Sequence, residues 1–202
     1  MKNCCCLFYG LSYLKSIDLS LFNTQNVTNM SYMFCNCNNL NTINFSSFNT
    51  QNVTSMNNMF YNCNNLQNID LSSFNTQNVT DMSNMFYGCE NLNKINLSSF
   101  NTIKVTDMHS MFYGCKNLKN LDLSSFNTPN LKNMYYMFDR CSNLETLDLS
   151  SFNTKAGSNK GSMFYSCTKL ERVVLSCDAS NLSEVIKSGL GNSFKNDIIV
   201  YV

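Results

Sequence analysis

Apolar residues recur along the chain in two spacings that take turns. Leu40, Ile43 and Phe45 end on alternate residues, the pattern of a short strand with one side turned inward. Phe48 follows. Then Val53, Met56, Met59, Phe60 and Cys63 return every three or four residues, which predicts a one-sided helix about three turns long. Asn52 or Thr54 is placed to cap its start, because a side-chain oxygen there can accept from the first free N–H groups. The Asn-Asn or Gly that follows tolerates the left-handed turn that ends a helix. One unit therefore reads as strand, corner, short helix and turn.

The unit repeats every 26 residues without insertion. The inward strand position falls at Ile17, Ile43, Ile69, Ile95, Leu121, Leu147, Val173 and Ile199. Neither element can bury its apolar side alone, so equal units stack in register. The expected fold is an α/β repeat solenoid, an open arc with one parallel β-sheet of about eight short strands and short helices on the opposite side. At about 4.8 Å per strand that sheet is about 35 Å wide. Residues 1–16 read as the second half of a unit and look uncapped, since "LFYGLSYLKS" aligns with "MFYNCNNLQN". Residues 17–172 hold six units. Residues 173–202 read as a degenerate capping unit, with a new helix near Ser183 to Ser188 and a last strand in "DIIVYV". "KAGSNKGS" places Gly157 and Lys160 where other units carry Val and Met, which predicts a looser loop over Lys155 to Ser162.

A unit of this length with L-x-x-L-x-L carries the leucine-rich-repeat signature. The wording "LDLSSFNTxNVTxMxxMFxxCxNLxx" resembles the 26-residue repeat of BspA-like leucine-rich-repeat surface proteins of bacteria and some protists. The likeness runs from about Leu7 to Leu175. It implies a leucine-rich-repeat-like arc and a cell-surface or secreted protein that adheres or binds host or partner macromolecules.

Composition narrows the field. Charged residues make up 13% of the 202, and the net charge is +1 without a basic block. That pattern disfavours a phosphate-dominated nucleic-acid surface and a polybasic membrane anchor. No apolar stretch reaches the ~18 residues of a membrane span. The start, "MKNCCCLFYG", is interrupted by polar residues and lacks a small-residue cleavage site, so no signal peptide is visible. Further repeats or domains N-terminal to this chain are one expectation; a fragment is another.

The most conspicuous chemistry is a column of thiols at Cys37, Cys63, Cys89, Cys115, Cys141 and Cys167. A buried core column is the preferred reading, because Cys behaves as a small hydrophobe and shares its stripe with Met and Phe. Disulfides between coils would need Cβ vectors that face each other rather than run parallel. A zinc site would need ligands that converge on a point, and the chain has a single His, His109. Cys35 is expected as a drifted surface residue, since other units carry Tyr or Asp there. Cys4, Cys5 and Cys6 are expected as a frayed end, and His109 as a solvated residue on a helix face. No cofactor and no metal is implied, and no nucleophile elbow or phosphate-cradling Gly-rich loop is present. The expected class is non-catalytic.

Recognition is instead expected on the outward strand residues. One column is Asp18, Asn44, Asp70, Asn96, Asp122 and Asp148. A second is Ser20, Ser46, Ser72, Ser98, Ser124 and Ser150. A third varies from coil to coil: Thr42, Asn68, Lys94, Asn120 and Thr146, with Ser16 and Arg172 at its ends. Together they form a neutral, hydrogen-bonding face suited to a protein or other macromolecule at the cell surface. A purely architectural spacer is the alternative. The Thr column, Thr24, Thr50, Thr76, Thr102, Thr128 and Thr154, raises ice binding as a lesser option, but its hydroxyls are better placed to satisfy backbone groups at the corner. N-x-[ST] triplets such as Asn52-Val53-Thr54 fall out of the repeat itself.

Overall fold

The computed structural model describes residues 1–153, 158–177, 180–191 and 197–202. Eight short parallel strands fall at the predicted positions: β1 Ser16–Asp18, β2 Thr42–Asn44, β3 Asn68–Asp70, β4 Lys94–Asn96, β5 Asn120–Leu121, β6 Thr146–Asp148, β7 Arg172–Leu175 and β8 Ile199–Tyr201. Partners lie 26 residues apart, as in Ile17↔Ile43 and Val173↔Ile199. The molecule is a right-through stack of equal coils, the repeat solenoid expected. The sheet differs from expectation in one respect. Pairing groups the strands as β1-β2, β3-β4 and β5-β6-β7-β8 rather than as one sheet of eight. Strands of two to four residues contribute few ladder bonds, so a small opening between coils is enough to interrupt them.

The segments predicted as helices within the repeat units are not helical, whereas the helix predicted near Ser183 to Ser188 is present. From Met56 to Leu66 the backbone alternates its allegiance. Met56, Asn58, Phe60 and Asn62 donate their N–H groups to the next coil, at Asp81, Ser83, Met85 and Tyr87. Met59, Tyr61, Cys63 and Leu66 donate within their own coil, three residues back. An α-helix would use every N–H internally. Positive φ at two positions per coil completes the series of tight turns: Tyr32, Asn58, Asn84, Ser110, Tyr136 and Ser162, then Asn36, Asn62, Gly88, Gly114, Arg140 and Ser166. A turn that closes three residues back also returns side chains inward every three or four positions, which is why it mimicked a helical stripe. Nor do Asn52 and Thr54 cap a helix: Asn52 Nδ2 donates to Gln25 O and Thr54 Oγ1 to Thr28 O, both in the preceding coil.

A second parallel ladder runs beside the turns through Asn3, Asn29, Ser55, Asp81, Asp107, Asn133 and Asn159. It begins at residue 3, so the opening residues are not frayed: Cys4 is buried, and Cys4, Cys6, Phe8 and Gly10 donate backbone bonds to the coil that follows. Of the predicted loop at Lys155 to Ser162, Lys155, Ala156 and Gly157 lie outside the described residues. Asn159 keeps the register, and Lys160 occupies the buried place of Met134.

The interior is built of aromatic columns. Phe8, Phe34, Phe60, Phe86, Phe112, Phe138 and Phe164 stack with centroids 5.2–5.8 Å apart and planes within 18°. Val, Met, Cys and Leu fill the space around them, almost all fully buried. Thr24, Thr50, Thr76, Thr102 and Thr128 of the Thr column are buried too, and Thr154 lies outside the described residues. Each hydroxyl of Thr24, Thr50, Thr76 and Thr102 donates to the carbonyl of an Asn 25 residues on and accepts that residue's N–H. With their hydroxyls spent inside the corner, these threonines offer no surface array to ice. The sole described helix, α1 (Ser180–Leu190), lays Leu182, Ile186 and Leu190 inward at the far end. A Cβ on Gly189 would stand 3.4 Å from the backbone and Cβ of Phe164, so α1 packs directly against the last member of the Phe column.

Candidate binding site on the strand face

The strands place the variable column on one side of each inward residue and the Asp/Asn column on the other. Thr42, Asn68, Lys94, Asn120 and Thr146 are exposed, as are Asp18, Asn44, Asp70, Asn96, Asp122 and Asp148. A concavity of about 1120 Å³ opens over the middle coils. It brings together Thr42, Asn68, Asp70, Lys94, Asn96, Asn120 and Asp122, with Ile43, Ile69 and Ile95 in its floor and Lys119 at its edge. A smaller hollow of about 480 Å³ joins Asn120, Asp122, Thr146 and Asp148 to Arg172. Asp18, Asn44 and the serines Ser20, Ser46, Ser72, Ser98, Ser124 and Ser150 line neither.

The Asp/Asn column serves the backbone first. In six coils its Oδ1 accepts the N–H of the Ser two residues on, from Asp18 with Ser20 to Asp148 with Ser150, at 2.8–3.1 Å. This Asx turn bends the chain out of the strand. The Ser72 N–H, then the Ser72 hydroxyl and Asn96, hold the Asp70 carboxyl below its ordinary range. Ser124 does the same for Asp122, hydroxyl first and N–H second. The face is therefore ordered before anything binds. The Asp and Asn side chains of this column are already held, which lowers the entropic cost of contact with them. Charge is balanced across it, with Asp70 and Asp122 beside Lys94 and Lys119.

The thiol column lies far from this face in character. All six sulfurs are buried and free, and each donates to the carbonyl of a Phe 29 residues earlier, from Cys37 with Phe8 to Cys167 with Phe138, at 3.0–3.2 Å. Burial pushes Cys89 and Cys167 up to about 12. Such thiols stay protonated and unreactive. Cys35 is buried at 3% exposure rather than on the surface, and burial raises it to about 11. The exposed cysteines are Cys5, Cys6 and Cys177. His109 is half-buried and tied in place rather than freely solvated on a helix. Its Nδ1 lies 2.8 Å from Asp107 Oδ1 and its Nε2 lies 3.1 Å from Asn84 Nδ2. Both ring nitrogens are thus engaged by neighbouring side chains.

One feature escaped the reading of the sequence. Tyr61, Tyr87 and Tyr113 form a partly exposed stack with centroids 4.5 Å apart. The signal was present as a Tyr two residues before four of the six column cysteines, at Tyr61, Tyr87, Tyr113 and Tyr165. Over residues 2–96 and again over 90–198 the chain matches the family described as "Mycoplasma protein of unknown function, DUF285". No curated protein matches it.

Proposed function

Since the chain belongs to the DUF285 family of Mycoplasma proteins of unknown function, we propose that it is a non-catalytic repeat protein of the cell surface that binds a protein or other macromolecule through its strand face. The single observation that carries this reading is the concavity over β2–β5, where exposed side chains change from coil to coil on a fixed, charge-balanced frame. A rigid frame with a variable column is how solenoids separate stability from specificity. The apolar floor of Ile43, Ile69 and Ile95 supplies contact area, and Asp70, Lys94 and Asp122 supply directional bonds. The resemblance to BspA-like surface proteins supports the adhesive setting. No described helix is long and apolar enough to cross a membrane.

The test is a comparison of wild type with Asp70→Asn/Lys94→Ala/Asp122→Asn, in which Asn keeps the Asx turn as Asn44 and Asn96 do, in attachment to host cells and extracellular matrix. The triple variant should fold normally and lose at least about tenfold in attachment, about 1.4 kcal/mol. Unchanged attachment by a folded variant would overturn the proposal. A second reading, an architectural spacer, draws on the Asx turns: the Asp and Ser columns already have structural work. It requires that wild type itself attach to nothing.

A further inference from the structure

The two ends of the stack differ. At the far end α1 lays Leu182, Ile186 and Leu190 inward and leaves Glu184, Lys187 and Ser188 exposed. That is the polar outer face of a capping unit. At the near end the columns stand open. Leu7, Phe8, Leu11, Leu14 and Phe22 share columns with Met33, Phe34, Cys37, Leu40 and Phe48, which are buried. None of the five is itself buried, and Leu11 is 47% exposed where Cys37 has no exposure at all.

The near end is also not a plain copy of the repeat. Three columns of the later coils carry polar groups that bond back to the coil before. The thiols from Cys37 to Cys167 donate to Phe carbonyls 29 residues earlier. The hydroxyls of Ser47, Ser73, Ser99, Ser125 and Ser151 donate to carbonyls 28 residues earlier, from Leu19 to Leu123. The amides of Asn39, Asn65, Asn91, Asn117 and Asn143 donate 26 or 27 residues back. In these three columns the opening coil holds Leu11, Leu21 and Tyr13. Leu21 is 97% exposed and Tyr13 91%. One exposed Leu means little, but these three with Leu7 and the open columns gather at one end, as at an interface.

We propose that this end pairs with the same end of a second copy, making a two-fold dimer. The occupant follows from the three exchanges. Another coil of the repeat would offer acceptors to a Cys, a Ser and an Asn, and the opening coil has none of them there. A second copy brings the same carbon-rich set, so each copy covers the open columns of the other without those bonds. A two-fold contact uses one self-complementary patch and closes at two copies. Head-to-tail growth is mismatched, because the apolar near end would meet Glu184 and Lys187 on α1. The dimer presents two strand faces, which doubles the valency of the surface proposed for macromolecules. The rival occupant is a further repeat unit. It draws on the carbonyls of Asn3, Cys5, Leu7 and Tyr9, whose counterparts Asn29, Ser31, Met33 and Cys35 accept N–H groups from the coil before.

Sedimentation velocity over a range of concentrations, under reductant, tests this. Wild type should be a dimer. Tyr13→Asn and Leu21→Ser restore residues of the later coils, and Leu11→Ser is close in size to their Cys. The triple variant should therefore fold, with an unchanged circular dichroism spectrum, and its dimer should weaken at least about a hundredfold. Leu21→Ser alone, at a solvated position, should weaken it in the same direction. Tyr201→Ser/Val202→Ser at the far end should leave the dimer intact, as should Asp70→Asn/Lys94→Ala/Asp122→Asn on the strand face. A synthetic peptide of residues 53–71 supplies the rival's donors, Met56, Asn58, Phe60 and Asn62. A monomeric wild type, a folded triple variant that dimerises as before, a dimer lost through the far-end variant instead, or saturable binding of the peptide in place of a second copy would overturn the proposal.

Discussion

At the scale of single residues, the unusual content of Asn, Ser, Thr and Cys has one physical source. Every coil bends three or four times, each bend strands backbone groups, and a buried backbone group without a partner is expensive. Short polar side chains supply the partners. The Thr column shows how much rests on this. Thr102 satisfies both the N–H and the C=O of Asn127. In the next coil Pro129 has no N–H to donate to Asn127, so the usual Asx bond of that corner is missing; Thr128 N–H bonds Asn153 Oδ1 instead, and Thr128 Oγ1 is left buried without a partner. Thr102→Val should therefore cost ~2–4 kcal/mol, because two buried backbone groups lose their partner. The same change at Thr128 should be neutral or stabilising, because it removes an unsatisfied hydroxyl. Chemical denaturation of the two variants checks the contrast; equal losses would show that the hydroxyl bonds are not what distinguishes the coils.

At the scale of elements, strand positions were legible because period and register were both unbroken: Ile17 to Ile199 fell where the 26-residue step put them. The turn segment was misread as a helix because both place an apolar residue inward every three or four positions. What separates them is where the intervening N–H groups go, and that depends on a neighbouring coil that single-unit periodicity does not describe. Asn, Gly and Ser at the positive-φ positions were the available clue; Tyr32, Tyr136 and Arg140 in the same columns hid it. Gly114 tests the left-handed turn. Its φ is +70°, and an added Cβ would have only ordinary contact with Gly88. Gly114→Ala should thus destabilise by ~1–2 kcal/mol, the cost of a left-handed residue with a side chain. In a helix interior the same change would stabilise by about 1 kcal/mol. A rise in melting temperature for Gly114→Ala would contradict the turn structure.

At the scale of the whole molecule, the repeated features build the scaffold, and the proposed binding rests on the side chains that change from coil to coil. The strand-face columns were visible in the sequence because outward positions follow from strand alternation. Their engagement in Asx turns was not, since it depends on how the chain leaves the strand. The tyrosine stack was missed because the pattern within one unit does not show that its Tyr meets the Tyr of the next coil. Cys35 was missed for a different reason: a small residue in a Tyr column can sink where a phenol cannot.

The reading of the chain as a closed scaffold with its sulfur sealed inside is tested most directly by native thiol labelling with a small aromatic disulfide. Cys5, Cys6 and Cys177 are exposed and should react at once, while the eight buried thiols, Cys4, Cys35, Cys37, Cys63, Cys89, Cys115, Cys141 and Cys167, should react only as the protein unfolds. Fast labelling of any of the six column cysteines in the folded protein would contradict it.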